Sequence, residues 1–144
     1  MQNLAVELNR EIRQRIPFGN IEVQRAVDGT KSIKFERLLY IAKLYSLKLA
    51  IKKPDDDKWY FFGERAHEFV KQLAFMFLEK YDEEAEALER RTLALGMKPK
   101  FFSHCTVRRV SPDVKDIEII ADHLGCQFKF VERDYEDMER DLTR

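Results

Sequence analysis

Residues 111–131 read SPDVKDIEIIADHLGCQFKFV, and the path of the chain after Gly125 decides the fold. Ser111-Pro112-Asp113 offers a capping side chain followed by proline at the first helical position. Val114 to Leu124 then reads as a helix, and Gly125 can take the left-handed conformation that stops it. Cys126 to Val131 alternates apolar and polar residues as a strand does, and Lys100 to Val110 reads as a strand ahead of the helix. Together these predict a βαβ unit over residues 98–132.

A rival reading uses the same residues. Ile117, Ile120, Ala121, Leu124, Gly125, Cys126 and Val131 also fit a helix-turn-helix register, in which a small residue sits where two helices cross and a glycine makes the turn. Phe128, Val131, Tyr135, Met138 and Leu142 would then line one helical face. The opposite face argues against a DNA reader, because Lys129, Arg133 and Arg140 are outnumbered by six carboxylates between Glu132 and Asp141. Residues 133–144 are left as an amphipathic tail.

Upstream of this region, apolar residues recur at helical spacing from Glu64 to Leu95 (Ala66, Val70, Leu73, Phe77, Tyr81, Ala85, Leu88, Leu95). A single helix of that span would be about 48 Å long against an expected radius of gyration of about 15 Å, so it either breaks near Asp82 to Glu84 or protrudes to bind a partner. Leu47, Leu49 and Ile51 alternate with lysines, and Pro54-Asp55-Asp56-Asp57 leads into Trp59-Tyr60-Phe61-Phe62, the pattern of a hairpin. Leu4, Leu8 and Ile12 mark an amphipathic helix ending before Pro17. Ile21 to Val27 alternates as a strand, with Asp28-Gly29 as its turn, and Ile33 to Tyr45 favours helix. No internal repeat shows at periods of 20–50 residues.

Charge is segregated. The 144-residue chain has formal net charge +0, yet residues 1–53 carry 11 Lys/Arg against 5 Asp/Glu and residues 54–97 carry 6 against 11. A basic front third followed by an acidic middle bears on partners and association, not on fold. With four Ser and four Thr among so many charged residues, the composition also has the bias of ion-pair-rich, heat-adapted proteins. Met1 to Ile16 lacks an apolar leader core, and Phe69 to Leu78 is half the length of a bilayer span, so the expectation is a cytoplasmic protein with reduced thiols and no membrane partner.

Few constellations could carry chemistry. Cys105, His123 and Cys126 are the weak candidates for a zinc site, or for a cysteine-based enzyme with a histidine base. The opposing view makes both cysteines small buried hydrophobes. Asp55-Asp56-Asp57 lacks the alternation and glycine of a calcium loop, and no glycine-rich phosphate loop occurs, so no cofactor is implied.

The sequence thus predicts one α+β domain over residues 1–144: a small mixed sheet flanked by helices, one long central helix and a C-terminal βαβ unit. Its predicted function is noncatalytic, that of a regulatory or assembly protein. The interface would be Phe69, Phe75, Met76, Phe77 and Leu78 with Tyr135, Met138 and Leu142, and the partner another protein or a homodimer mate. The alternative is a nucleic-acid-associated factor using Arg10, Arg13, Lys34, Arg37, Lys48 and Lys52, should these converge in space.

Overall fold

In a computed structural model, residues 1–81, 85–134 and 136–137 are described. They form a single α+β domain with seven helices and a three-stranded antiparallel sheet. Helix α1 (Leu4–Arg15) starts where the Asn3 side chain accepts from the Val6 N–H, and its spacing of four buries Leu4, Leu8 and Ile12 completely.

Residues 21–27 are helix α2 (Ile21–Val27), a correction to the strand predicted there. Asn20 caps it by accepting from the N–H groups of Glu22 and Val23, and of the alternating apolar residues only Val23 is buried. A local cap therefore outweighed an alternation that had no sheet to pair with. Asp28-Gly29 is accordingly the helix end: Gly29 has φ +75°, and the Thr30 N–H returns to the Arg25 carbonyl.

Helix α3 (Phe35–Leu44) buries Phe35, Leu38, Leu39, Ile41 and Ala42, and Ser46 at φ +60° turns the chain into strand β1 (Leu47–Lys52). The predicted hairpin forms with the short strand β2 (Trp59–Tyr60), whose partners on β1 are Lys52 and Ile51. In its turn, the Asp56 carboxylate accepts from the Lys58 N–H and the Tyr60 hydroxyl.

The predicted long helix is described as α4 (Ala66–Tyr81) and α5 (Ala85–Ala94), so it starts two residues later than expected; residues 82–84 lie outside the description. Residues 101–106 form helix α6 (Phe101–Thr106), not the predicted strand. Phe101 and Cys105 are four apart and both buried, which is one helical face and would be the same face of a strand only alongside residue 103, where Ser103 is exposed.

Helix α7 (Val114–Leu124) is as predicted, except that Pro112 stands outside it and Asp113 takes the capping position without a side-chain cap bond. Gly125, at φ +74°, ends it with the Cys126 N–H returning to the Ala121 carbonyl. Strand β3 (Gln127–Glu132) follows directly, which excludes the helix-turn-helix reading. It pairs antiparallel with β1 from Leu47 opposite Glu132 to Lys52 opposite Gln127, in the order β2-β1-β3. The sheet is therefore wholly antiparallel, not mixed, and without a strand at 101–106 there is no βαβ unit.

The core lies between this sheet and the helices. Phe69 of α4 is its hub, with ring centroids 5.2 Å from Phe35, 5.4 Å from Phe62 and 6.0 Å from Phe128. No described helix is long and apolar enough to cross a membrane.

Candidate nucleic-acid interface

The six basic residues singled out by sequence do not form one free cationic surface. Arg10 pairs with Glu7 at 3.1 Å, Lys34 with Asp113 at 2.9 Å and Arg37 with Glu22 at 2.5 Å. Lys48 pairs with Asp137 at 2.8 Å and lies 4.9 Å from the centre of the Phe61 ring. Arg13 donates to the Gln24 side chain, and half-buried Lys52 has no ion pair among the described residues.

Lys48 belongs to a buried ionic cluster. Asp137 is fully buried, and Arg133, 4% exposed, pairs with Glu64, which also faces Lys43 at 3.5 Å. Asp134 and Asp137 each accept from the other's backbone N–H, at 3.0 and 2.8 Å, a reciprocal capping box. This cluster fastens the chain after β3 to β1, to α3 through Lys43, and to the segment just before α4, so these charges serve packing.

A second set of exposed cations without an ion pair among the described residues lies on two loops joined by a backbone bridge. The loops after α2 (residues 28–33) and after α6 (residues 107–112) run into α3 and α7, and an isolated antiparallel bridge joins Lys34 to Asp113 between them. The Phe35 N–H donates to the Pro112 carbonyl at 2.8 Å and the Val114 N–H to the Ile33 carbonyl at 3.1 Å. Ser111 Oγ accepts from the Glu36 N–H, fixing the second loop against the start of α3.

On these two loops and their flanks, Arg25, Lys31, Arg108, Arg109 and Lys115 are exposed, and none has an ion pair among the described residues. Arg109 also holds φ +55°, a left-handed conformation that costs a non-glycine residue about 1 kcal/mol or more. The fold thus holds an arginine outward on a strained turn.

The acids nearby are largely occupied. Glu22 is held below the usual carboxylate value by the Arg37 hydrogen bond first, with Lys31 and Arg25 adding their charge. Asp113 is taken by Lys34, and Asp28 accepts from Gln24. Burial, and then the charge of Asp113, pushes Asp116 up, while burial pushes Glu118 up against the Leu4 N–H bond that opposes it.

Arg25 and Lys31 are both part of the basic front third that the sequence marks, but Arg25 and the Arg108-Arg109 pair fall inside the two segments predicted as strands. Two adjacent arginines between Val107 and Val110, both exposed, were the available signal.

The other predicted sites fare differently. Among the described residues no three His, Cys, Asp or Glu side chains come together to hold a metal, Cys105, His123 and Cys126 included. Burial pushes the Cys105 thiol up to about 12, with Asp116 adding to the shift, and pushes Cys126 up to about 11. His104, Cys105 and Asp116 do line one cavity of about 200 Å³ beside α6. A nucleophilic cysteine needs the opposite shift, so that arrangement does not prepare a thiolate. His123 stacks on Phe77 with ring centroids 5.4 Å apart.

Of the predicted protein interface, Phe69 and Phe77 are in the core, Met76 and Leu78 are half-buried, and Phe75 is 49% exposed. Tyr135, Met138 and Leu142 lie outside the described residues. Compared with known proteins, the chain matches no family model, no curated protein and no solved structure.

Proposed function

We propose that this chain is a noncatalytic regulatory protein that acts by binding nucleic acid, with the loops after α2 and α6 on the phosphate backbone. One observation carries the reading: Arg25, Lys31, Arg108, Arg109 and Lys115 stay exposed and unpaired around the Lys34 to Asp113 bridge, while most other candidate cations are neutralised within the fold. A cation without an internal partner keeps its whole charge for an external anion, and each phosphate contact releases condensed counterions.

Five such contacts give a slope of log affinity against log salt of about −4.5, hence a loss of about 500-fold between 50 and 200 mM salt. Fluorescence anisotropy of a labelled mixed-sequence oligonucleotide tests this directly. Binding at 50 mM NaCl that collapses at 200 mM, and that weakens in an Arg108→Ala/Arg109→Ala variant, supports the reading. Absence of binding at 50 mM NaCl refutes it. Self-association through α4 has less support, since Phe75 is the one strongly exposed member of the apolar block among the described residues.

A further inference from the structure

We infer that the chain consists of two copies of one structural unit related by an approximate two-fold axis, and that the nucleic acid it binds is a duplex held by one loop of each copy. The inference rests on the nucleic-acid reading above and narrows it.

The axis is visible in the hydrogen bonds. Around the Lys34 to Asp113 bridge, Ile33 and Phe35 on one side do what Pro112 and Val114 do on the other: the helix-starting N–H of each copy donates to the preceding loop's carbonyl in its counterpart. These equivalent residues are 79 positions apart. The same offset runs through α3 and α7, pairing buried Leu38 with Ile117, Ile41 with Ile120 and Ala42 with Ala121. It then pairs the two left-handed turns, Ser46 with Gly125, and the buried strand residues Leu49 with Phe128 and Ile51 with Phe130.

In the sheet, Ala50 stands opposite Lys129, which is its own counterpart by this offset. A residue paired antiparallel with its own equivalent lies on a two-fold axis, the rule for any isologous contact.

The first helices obey the symmetry too. Buried Leu4, Ala5, Leu8 and Ile12 of α1 match the spacing of buried Phe69, Val70, Leu73 and Phe77 of α4, and near each helix start a glutamate of the other copy accepts a backbone N–H, about one helical turn out of strict register between the two. Glu118 of α7 accepts from the Leu4 N–H at 2.6 Å, and Glu36 of α3 accepts from the Ala66 N–H at 2.7 Å. The units are therefore α1-α2-α3-β1 and α4-α6-α7-β3, with β2 in the connection between them and α5 inserted in the second.

The cationic loops are equivalent parts of the two units. Each leaves a short helix, has a backbone N–H returning five residues (Thr30 to Arg25, Arg108 to Ser103) and contains a left-handed residue, Gly29 or Arg109, so the loops correspond in kind, within one residue of the offset, and not position by position. Because the chains cross the bridge antiparallel, Lys31 and Arg109 lie on opposite sides of it, and the residues between allow at most about 30 Å between them. That upper limit is within one turn of a duplex, about 34 Å. A duplex has local two-fold axes that can match two equivalent loops, whereas a single strand has only a direction.

Anisotropy with a duplex of about 20 base pairs and a single strand of the same length, across a salt series, tests the inference on the full chain. The expected result is one chain per duplex, binding at least ten-fold tighter than to the single strand. Arg25→Ala/Lys31→Ala and Arg108→Ala/Arg109→Ala should each reduce the salt slope by about 2. Unchanged melting temperatures would confirm that these surface variants fold. Equal affinity for the single strand, or indifference to either loop's substitution, overturns this inference and leaves the nucleic-acid reading standing. Failure to bind either probe at low salt overturns both.

Discussion

Asp137→Ala should be among the most damaging single substitutions outside the apolar core. Asp137 is fully buried and accepts from Lys48 Nζ at 2.8 Å and from the Asp134 N–H at 2.8 Å. Removing the carboxylate strands a Lys48 ammonium that is 16% exposed and leaves a backbone donor without its acceptor. Breaking a buried pair from one side costs about 3–5 kcal/mol. Lys48 keeps a longer contact to the Asp134 carboxylate at 3.7 Å, and that acid is 60% exposed, so the expected loss is at the lower end, about 3 kcal/mol. For a chain of this length, that lowers Tm by about 6–12 °C.

Urea denaturation of the wild type, Asp137→Ala, Lys48→Ala and the double variant forms a thermodynamic cycle. The double variant should be more stable than the two single losses added together, by at least about 1.5 kcal/mol, because the second removal no longer strands a charge. Because the pair is buried, raising NaCl from 50 to 500 mM should hardly alter the effect. A loss below about 1 kcal/mol for Asp137→Ala, or no coupling in the cycle, would refute the reasoning and restore Lys48 to the surface charge that the sequence suggests.

Three further outcomes are expected. Glu118 has a folded pKa above its ordinary 4.5, so it stabilises the fold below that value and the contribution is lost as pH rises through the folded pKa. Measured by urea titration from pH 4 upward, the wild type should therefore lose stability relative to Glu118→Gln; a gain would contradict it. His123 is shifted the other way, below 6.5, by burial first and then by Lys80 and Arg91. Its contribution is present above 6.5 and lost as pH falls, so acidification from pH 7.5 to 5.5 should lower Tm more in the wild type than in His123→Phe. The thiols of Cys105 and Cys126, at about 12 and about 11, should react with iodoacetamide at pH 8 far more slowly in the folded protein than in urea, and fast labelling of the native chain would contradict their burial.

The elements that were legible in sequence are those whose own periodicity and ends agree. Leu4, Leu8 and Ile12 between Asn3 and Pro17 specify α1, and Val114 to Leu124 closed by Gly125 specifies α7. The two segments predicted as strands, 21–27 and 100–110, are short and follow turns whose meaning depends on what they pack against. Val23, Phe101 and Cys105 bury onto neighbouring helices, a choice that alternation within seven residues does not encode. The candidate interface was unreadable for the same reason, since its arginines fell in those segments.

Composition and periodicity alone determined a single α+β domain, the β1 to β2 hairpin and a basic front third, because each depends on residues close in sequence, whereas strand rather than helix after Gly125 was decided by its pairing with β1. Tertiary structure alone decided which cations remain free. Lys48 meets Asp137, Lys34 meets Asp113 and Arg37 meets Glu22 across separations of 89, 79 and 15 residues, and charge neutralisation acts through distance in space. The approximate two-fold was equally hidden, because its two copies share spacing and hydrogen bonds while differing in nearly every side chain, and packing constrains shape and burial more tightly than residue identity.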